Sequence, residues 1–148
     1  MTGASPNDPA ALLLGRAGAL LLFLGLLTGG YAAGAMTGQF AVDPHSALAS
    51  HLSALLGAYW NFAVGWSLPL LRYGAVGKHR LAWGVIAPNF ANWIVTAVKA
   101  AFHVSGVGVT HDTANNVVFG VLNVVVVIPT LAAGLMWMIG FRKSAATG

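Results

Sequence analysis

The sequence has very few charges and no cysteine. Only 7% of its 148 residues are charged, while 57% are apolar, and a soluble domain carries about 25% charged residues. Glutamate is absent, so the acidic residues are Asp8, Asp43 and Asp112. Such a chain cannot cover itself with a water-facing surface, which excludes a soluble enzyme and a disordered tail. The lack of cysteine excludes a disulfide-stapled scaffold and thiolate catalysis or metal binding.

The basic residues lie at the ends of apolar runs and do not form one patch. The formal net charge is +4, but a nucleic-acid-binding surface needs clustered bases. Bases that flank apolar runs are instead typical of those that set membrane orientation. We therefore expect the lipid bilayer, and not nucleic acid, as a partner.

Four apolar runs are long enough to cross a hydrocarbon core, which takes about 20 helical residues. The predicted fold class is all-α, a four-helix transmembrane bundle in a single integral membrane domain over residues 1–148. The first run exceeds the apolar stretch of about 7–15 residues in a signal peptide, so it is read as a retained helix. The predicted spans cover residues 12–36, 46–71, 81–102 and 116–141.

Charges in the predicted loops orient the bundle. The loop that carries Asp43 and the loop that carries Asp112 have neither lysine nor arginine. By the positive-inside rule, both termini are predicted to be cytoplasmic, in a multi-pass protein of a bacterial-type inner membrane. The basic and histidine residues of the opposite side are Arg72, Lys78, His79, Arg80, Arg142 and Lys143.

Polar side chains at membrane depth are informative because burying them in hydrocarbon is costly. His51 lies about 8 Å inside the outer end of the second predicted span, at 1.5 Å per helical residue. Asn92 in the third span and Asn123 in the fourth fall at a similar depth. Three helices are therefore predicted to place a polar group in one layer. Hydrogen bonds between helices, worth about 0.6 kcal/mol each, explain this pattern as well as a binding site does.

A single histidine among apolar residues suits one axial ligand of haem iron. Leu55, Ala58 and Phe62 follow His51 on its helical face and are predicted to form an apolar pocket wall. A bis-histidine electron carrier needs a second histidine at matching depth, zinc needs three or four ligands, and a proton pump needs buried carboxylates. The predicted spans contain no histidine besides His51 and no carboxylate. The residues therefore favour five-coordinate iron with an open position.

At these residues the chain resembles the hydroxylaminobenzene mutase family. The likeness is carried by residues 18–29 in the first span, residues 49–52 at the start of the second, and residues 90–93 within the third. It covers most of the chain, from about residue 18 to residue 142. It implies a membrane isomerase that rearranges an arylhydroxylamine to an aminophenol.

A more distant likeness is to styrene oxide isomerase, another four-helix membrane protein. There too a histidine opens the second helix, and a Leu-Pro pair closes it, here Leu68 and Pro69. That relative is a homotrimer with haem b near its subunit interfaces. The resemblance implies that His51 is the axial ligand of haem b, that Asn92 lines the substrate pocket and that the chain forms a trimer. It makes epoxide-to-aldehyde isomerisation the alternative reaction.

Two positions depart from the pattern of these families. Six residues after the histidine, where both families usually have asparagine, the chain has Gly57, and Asn61 one turn further on is the candidate substitute. The pocket tyrosine of the isomerase, four residues after the asparagine, corresponds to Thr96. Both departures bear on the identity of the substrate.

The implied mechanism is an intramolecular rearrangement in which ferric haem acts as a Lewis acid on a substrate oxygen or nitrogen. A small apolar aromatic substrate is the expected partner, and it would enter from the lipid. The candidate catalytic residues are Asn92, Asn123 and Asn61. The candidate cofactor-binding residues are Leu55, Ala58, Trp93 and the iron ligand His51.

Two other functions fit the same sequence. A non-catalytic haem or quinone anchor subunit predicts a six-coordinate or absent haem and dependence on a soluble redox subunit. A structural or transport bundle without a cofactor predicts colourless protein. The single deep histidine beside mid-membrane asparagines favours the isomerase over both.

Overall fold

The computed structural model describes residues 8–141, and all regular structure within that range is helical. A 3₁₀ turn over Leu68–Leu70 follows the second helix, and a π-helical segment over Leu122–Val127 joins the last two. The all-α prediction is confirmed. The α-helices are α1 (Pro9–Met36), α2 (Pro44–Ser67), α3 (Ala75–Ala101), α4 (Thr113–Val121) and α5 (Ile128–Gly140).

Three helical segments of the described chain are long and apolar enough to cross a membrane: Pro9–Met36, Ala75–Ala101 and Thr113–Gly140. The last of these is the continuous run of α4, the π-helical segment and α5. Helix α2 is not among them, because serine, histidine and asparagine interrupt its apolar residues. Three of the four predicted spans are therefore supported. The prediction that both termini are cytoplasmic depends partly on Arg142 and Lys143, which lie outside the described residues.

Helix α3 begins earlier than its apolar run predicts. It starts at Ala75 rather than at residue 81, so Lys78, His79 and Arg80 lie in its first turns and not in a loop. Lysine and arginine are good helix formers. An apolar pattern therefore finds the buried part of such a helix and misses its solvated end.

The three aspartates begin three of the helices. Asp8, Asp43 and Asp112 are the N-caps of α1, α2 and α4, and their carboxylates accept a backbone N–H of the first turn at 3.0, 2.8 and 2.9 Å. A capping carboxylate satisfies a donor that has no partner within the helix. Each acidic residue of the chain is thus accounted for by a helix start.

Both ends of α3 are tied to other helices. At its start, Lys78 Nζ lies 3.0 Å from the carboxylate of Asp8. Partial burial raises the pKa of Asp8, but hydrogen bonds from Lys78 and Ala10 outweigh it and hold the pKa below its ordinary value. At the other end of α3, the backbone N–H of Asp43 donates to the carbonyl of Ala100 at 3.0 Å. These contacts fix α3 against the starts of α1 and α2.

The core is built mainly from α1, α2 and α3, and Ala133 of α5 adds to it. Leu14, Val64, Leu81 and Val85 are fully buried near the end where α1 begins. Further along the bundle, a smaller cluster joins Leu21 of α1 to Ala54 and Ala58 of α2. By contrast, only 6% of the apolar window in Thr113–Gly140 is buried. The last span therefore presents most of its apolar surface outwards.

The cap at the start of α2 gives a pH-dependent prediction. Hydrogen bonds from the Ser46 hydroxyl and backbone N–H lower the pKa of Asp43, and His45 and His103 add to this effect. Because its folded-state pKa is lowered, the carboxylate stabilises the protein above its ordinary pKa of 3.8, and this contribution is lost as the pH falls. We expect Asp43→Ala to cost about 1 kcal/mol of unfolding free energy at neutral pH.

Thermal unfolding in detergent, measured from pH 7 down to acid, tests this prediction. The difference in unfolding temperature between the wild type and Asp43→Ala should narrow as the pH drops through the pKa of the carboxyl. Asp43→Asn is the matched control, since asparagine also caps helices but does not titrate in this range. A gap that stays constant at all pH values contradicts a role for the charged carboxylate.

Candidate functional site

His51 lies on the face of α2 that packs against α1. Its Nδ1 atom is 2.7 Å from the carbonyl oxygen of Gly25. A carbonyl only accepts, so Nδ1 carries the ring proton and donates it. In the neutral ring with this tautomer, Nε2 carries the lone pair, and no partner among the described residues bonds to it. The environment of His51 thus sets one tautomer and leaves one nitrogen available as a ligand.

Gly29 makes room for the imidazole ring. A Cβ atom at this position would lie 3.1 Å from His51 Cε1 and 3.3 Å from Nδ1. A side chain there would push the ring away from α1 and stretch its bond to Gly25. His51 is half-buried, so part of the ring remains accessible at the edge of the α1–α2 pair.

Two of the three apolar residues predicted to form the pocket wall, Leu55 and Ala58, occupy different surroundings. Leu55 is half-buried, and its Cδ2 atom would lie 3.1 Å from a Cβ at Gly25. Leu55 therefore lies beside His51 on the face of α2 that contacts α1. Ala58 is fully buried in the cluster with Leu21, so it faces the interior of the bundle.

Two serines in the middle of α2, Ser50 and Ser53, face α3 and not α1. Ser50 Oγ donates to the Trp93 carbonyl at 3.3 Å, and the hydroxyls of Ser53 and Thr96 are 3.3 Å apart. Successive helical residues are about 100° apart, so Ser50 and Ser53 lie about 100° and 200° round the helix from His51. The His51 ring and α3 are consequently on different sides of α2.

Asn92 is half-buried on α3. Its backbone carbonyl accepts the Thr96 hydroxyl at 2.6 Å, and its side-chain amide has no hydrogen-bond partner among residues 8–141. No hydrogen bond joins the Asn92 side chain to His51 within residues 8–141, and α3 packs on a different side of α2 from the His51 ring. Their predicted catalytic and ligand roles stay predictions.

Asn123 lies in the π-helical segment and bonds to its own helix. Its Nδ2 atom donates to the Phe119 carbonyl at 2.8 Å, and its backbone carbonyl accepts from the Ile128 N–H, five residues on. Pro129 has no N–H to offer to the preceding turn, which accounts for the irregular bonding just before it. Within one chain the amide of Asn123 is thus not joined to His51 or Asn92.

Trp93 anchors a groove between α1 and α3. Its indole N–H donates to the Thr28 hydroxyl at 3.0 Å, and that hydroxyl donates to the Leu24 carbonyl at 2.7 Å. The groove has a volume of about 380 Å³ and a mainly apolar lining, which suits an apolar ring. It lies between α1 and α3, and His51 is not among its lining residues. Its lining residues are Leu24, Leu27, Thr28, Tyr31, Trp93 and Ala97.

Asn61 pairs with a residue that sequence analysis does not select, Asn89. The Asn89 amide N–H groups donate to the Gly57 carbonyl at 3.2 Å and to Asn61 Oδ1 at 3.3 Å. Asn61 is fully buried, and its Nδ2 atom has no partner within the described chain. Leaving such a donor unsatisfied costs about 1–3 kcal/mol. The sequence does contain a sign of Asn89, because it lies three residues before Asn92 and so shares a face of α3 with it.

A polar pocket of about 620 Å³ lies where α2 begins and α3 ends. Lys99 Nζ donates to the Ser105 carbonyl at 2.9 Å there, and His103 Nε2 is 3.3 Å from the carbonyl of Ala41. Within residues 8–141, no group of three or more histidine and acidic residues is arranged to hold a metal ion. The pocket is lined by Asp43, His45, Ser46, Ala49, Lys99, His103, Val104, Ser105 and Val107.

Comparison with known proteins gives one match. A sequence model of a family described as styrene oxide isomerase matches residues 10–141. No curated protein matches the chain, and no solved structure does. The match spans nearly all of the described residues and includes every helix except the first residue of α1.

Proposed function

The chain belongs to the styrene oxide isomerase family, and on that premise we propose that it is a haem-dependent membrane isomerase of small aromatic epoxides. The family is one of isomerases, and three helical segments of this chain are long and apolar enough to cross a membrane. Conversion of an arylhydroxylamine to an aminophenol is the second candidate. The runs at residues 18–29, 49–52 and 90–93, which resemble the mutase family, favour it.

The tautomer of His51 carries this proposal. A metal-bound histidine almost always donates its other ring N–H to a carbonyl, a carboxylate or water. His51 Nδ1 does so to Gly25 at 2.7 Å, which leaves Nε2 for iron. We propose that His51 is the axial ligand of haem b and that Leu55, one turn further along α2, packs against the same group.

When bound, ferric haem with an open face supplies a Lewis acid for a substrate oxygen or nitrogen. The chain supplies the rest of the site. The Gly25 carbonyl holds His51 in one tautomer and orientation, and the surrounding apolar side chains exclude water. The Asn92 amide offers N–H donors to an oxygen that gains negative charge as a bond breaks.

The proposed reaction rearranges one molecule and needs no outside electrons. In an aryl epoxide the benzylic C–O bond opens, and a hydride moves from the terminal carbon to the benzylic carbon. The terminal carbon then becomes the aldehyde, so substrate and product contain the same atoms. In an arylhydroxylamine the N–O bond breaks instead, and oxygen returns at a ring carbon.

Because the His51 ring and α3 lie on different sides of α2, we propose that His51 of one copy acts together with Asn92 of another. We propose a homo-oligomer, and a trimer by the resemblance. The apolar surface that the last span presents outwards supports an interface between copies. We further propose that α2 crosses an inner membrane together with the other three spans and that the substrate enters from lipid.

Product analysis of the haem-loaded protein tests the proposed function. We expect styrene oxide to give phenylacetaldehyde. If phenylhydroxylamine gives 2-aminophenol and styrene oxide is unchanged, the second candidate replaces the first. If neither substrate reacts above the rate seen with His51→Ala, the isomerase proposal is wrong.

A further inference from the structure

The polar pocket of about 620 Å³ lies at one end of the bundle and is bordered by three segments of the chain. Two of them are the start of α2 and the end of α3. They are joined to each other, because the backbone N–H of Asp43 donates to the Ala100 carbonyl at 3.0 Å. The third is the segment after α3, which contributes Val104, Ser105 and Val107 to the lining.

Hydrogen bonds to α4 hold the segment after α3 in a defined shape. Asn115 is 4% exposed. Its Oδ1 atom accepts the Gly106 N–H at 2.7 Å, and its Nδ2 atom donates to the Gly108 carbonyl at 2.6 Å. His103 and Gly106 have φ angles of 53° and 61°, in the left-handed region that turns the chain. Val107 thus lies between two residues bonded to α4, and the pocket is a built feature of the fold.

A positive and a negative side chain line this pocket without pairing with each other. Lys99 lies in the last turn of α3, and Asp43 is the N-cap of α2. In the part of the chain that the structure describes, the one salt bridge joins Lys78 to Asp8, so Lys99 and Asp43 are not bonded to each other. With its two histidines neutral, the lining carries one charge of each sign.

Both charged groups keep bonding capacity for a ligand. Lys99 Nζ donates to the Ser105 carbonyl at 2.9 Å, and an ammonium has three N–H donors. Asp43 Oδ2 accepts the Ser46 N–H at 2.8 Å, and a carboxylate has about four acceptor sites. Hydrogen bonds from Ser46 hold the pKa of Asp43 below its ordinary value, so this carboxylate is charged at neutral pH. A molecule that carries both an anion and an N–H-bearing cation complements this lining.

The position of the pocket favours a lipid over a soluble molecule. Helix α3 is long and apolar enough to cross a membrane, and Lys99 in its last turn lies where phospholipid headgroups are found. Val98 and Phe102, on either side of Lys99 in the sequence, are 48% and 73% exposed. They offer apolar surface to acyl chains, which a soluble molecule would leave uncovered.

We propose that this pocket binds the headgroup of a phospholipid that carries both a phosphate and a primary ammonium, as phosphatidylethanolamine does. Lys99 binds the phosphate through a charge-assisted hydrogen bond, and Asp43 accepts N–H groups of the lipid ammonium. Phosphatidylglycerol has a phosphate and no ammonium, so it would leave Asp43 facing an anion. The inference is independent of the proposed isomerase function, since it involves neither His51 nor haem.

Thermal unfolding in detergent tests this preference with two lipids of the same acyl chains, each added at the same concentration. Each shift is measured against the same variant without lipid. Phosphatidylethanolamine should raise the unfolding temperature of the wild type by about 2–4 °C more than phosphatidylglycerol does. Asp43→Asn keeps a helix cap and removes the negative charge, so this difference should vanish or reverse. Lys99→Gln should lose the shift with both lipids, and Lys99→Arg should retain it.

Arg16→Gln is the matched control, because it removes an exposed positive charge on α1, outside the pocket. It should keep the wild-type difference between the two lipids. Equal shifts with both lipids in the wild type, or a full phosphatidylethanolamine shift in Lys99→Gln, overturn the proposal. Glycerophosphoethanolamine has the same headgroup without acyl chains. If it alone matches the shift of the lipid, the pocket holds a soluble zwitterion and the lipid assignment is wrong.

Discussion

Replacing His51 with alanine is expected to remove haem from the protein and to reduce isomerase turnover by more than about 100-fold. Loss of a partner that only orients a metal ligand already costs about 10–100-fold, and this change removes the proposed ligand itself. The Gly25 carbonyl, 2.7 Å from Nδ1 in the wild type, would be left without its donor. The fold should survive, because His51 is only half-buried at the edge of the α1–α2 pair.

The optical spectrum of the purified protein, taken after haem is supplied, measures this effect. The wild type should show a Soret band of five-coordinate character that shifts when an aromatic ligand is added. His45→Ala is the control, since His45 lies on the same helix but is exposed in the outer polar pocket. If His51→Ala keeps the wild-type Soret band, His51 is not the haem ligand.

Replacing Gly57 with asparagine, the residue that related families usually carry there, is expected to destabilise this protein and not to activate it. A Cβ atom at 57 meets Leu21 Cδ2 at 3.0 Å and Asn89 Cβ at 3.1 Å. Overpacking of this kind costs about 1–3 kcal/mol. For a chain of this size each kcal/mol lowers the unfolding temperature by about 2–4 °C. The change also displaces Asn89 from the Gly57 carbonyl.

Thermal unfolding and turnover, measured together, test this second prediction. Gly30→Asn is the matched control, because Gly30 lies within α1 and a Cβ there meets nothing within 4 Å. The control should lose much less stability than Gly57→Asn. A Gly57→Asn protein that is as stable as the wild type and turns over styrene oxide faster would contradict the expected overpacking of Leu21 and Asn89.

The sequence predicts where the helices are because long apolar runs have few alternatives in a membrane protein. It places the ends poorly. Lys78 and Arg80 are polar, so their helical state in α3 leaves no mark on an apolar pattern. Helix α2 shows the opposite difficulty. Its length and partners in the bundle are those of a span, but its serines and His51 lower its hydropathy.

The candidate site is predictable in its residues and not in its arrangement. His51 and Asn61 stand out because polar groups are rare in these helices. The partner of His51 is the backbone of Gly25, which no side-chain pattern reveals. Depth along a helix follows from residue number, but the face that meets a given neighbour depends on how α1, α2 and α3 pack. This is why His51 and Asn92 share a predicted layer and yet lie on different sides of α2.

The polarity of α2 bears on how the protein is made. A segment that is not apolar enough to enter the bilayer by itself has to insert together with a more apolar neighbouring helix. Helix α1 is strongly apolar, precedes α2 in synthesis, and covers His51 through Gly25 and Gly29. We expect the two to enter the membrane as a hairpin, so that α1 already covers His51, the proposed iron ligand, before the rest of the bundle exists.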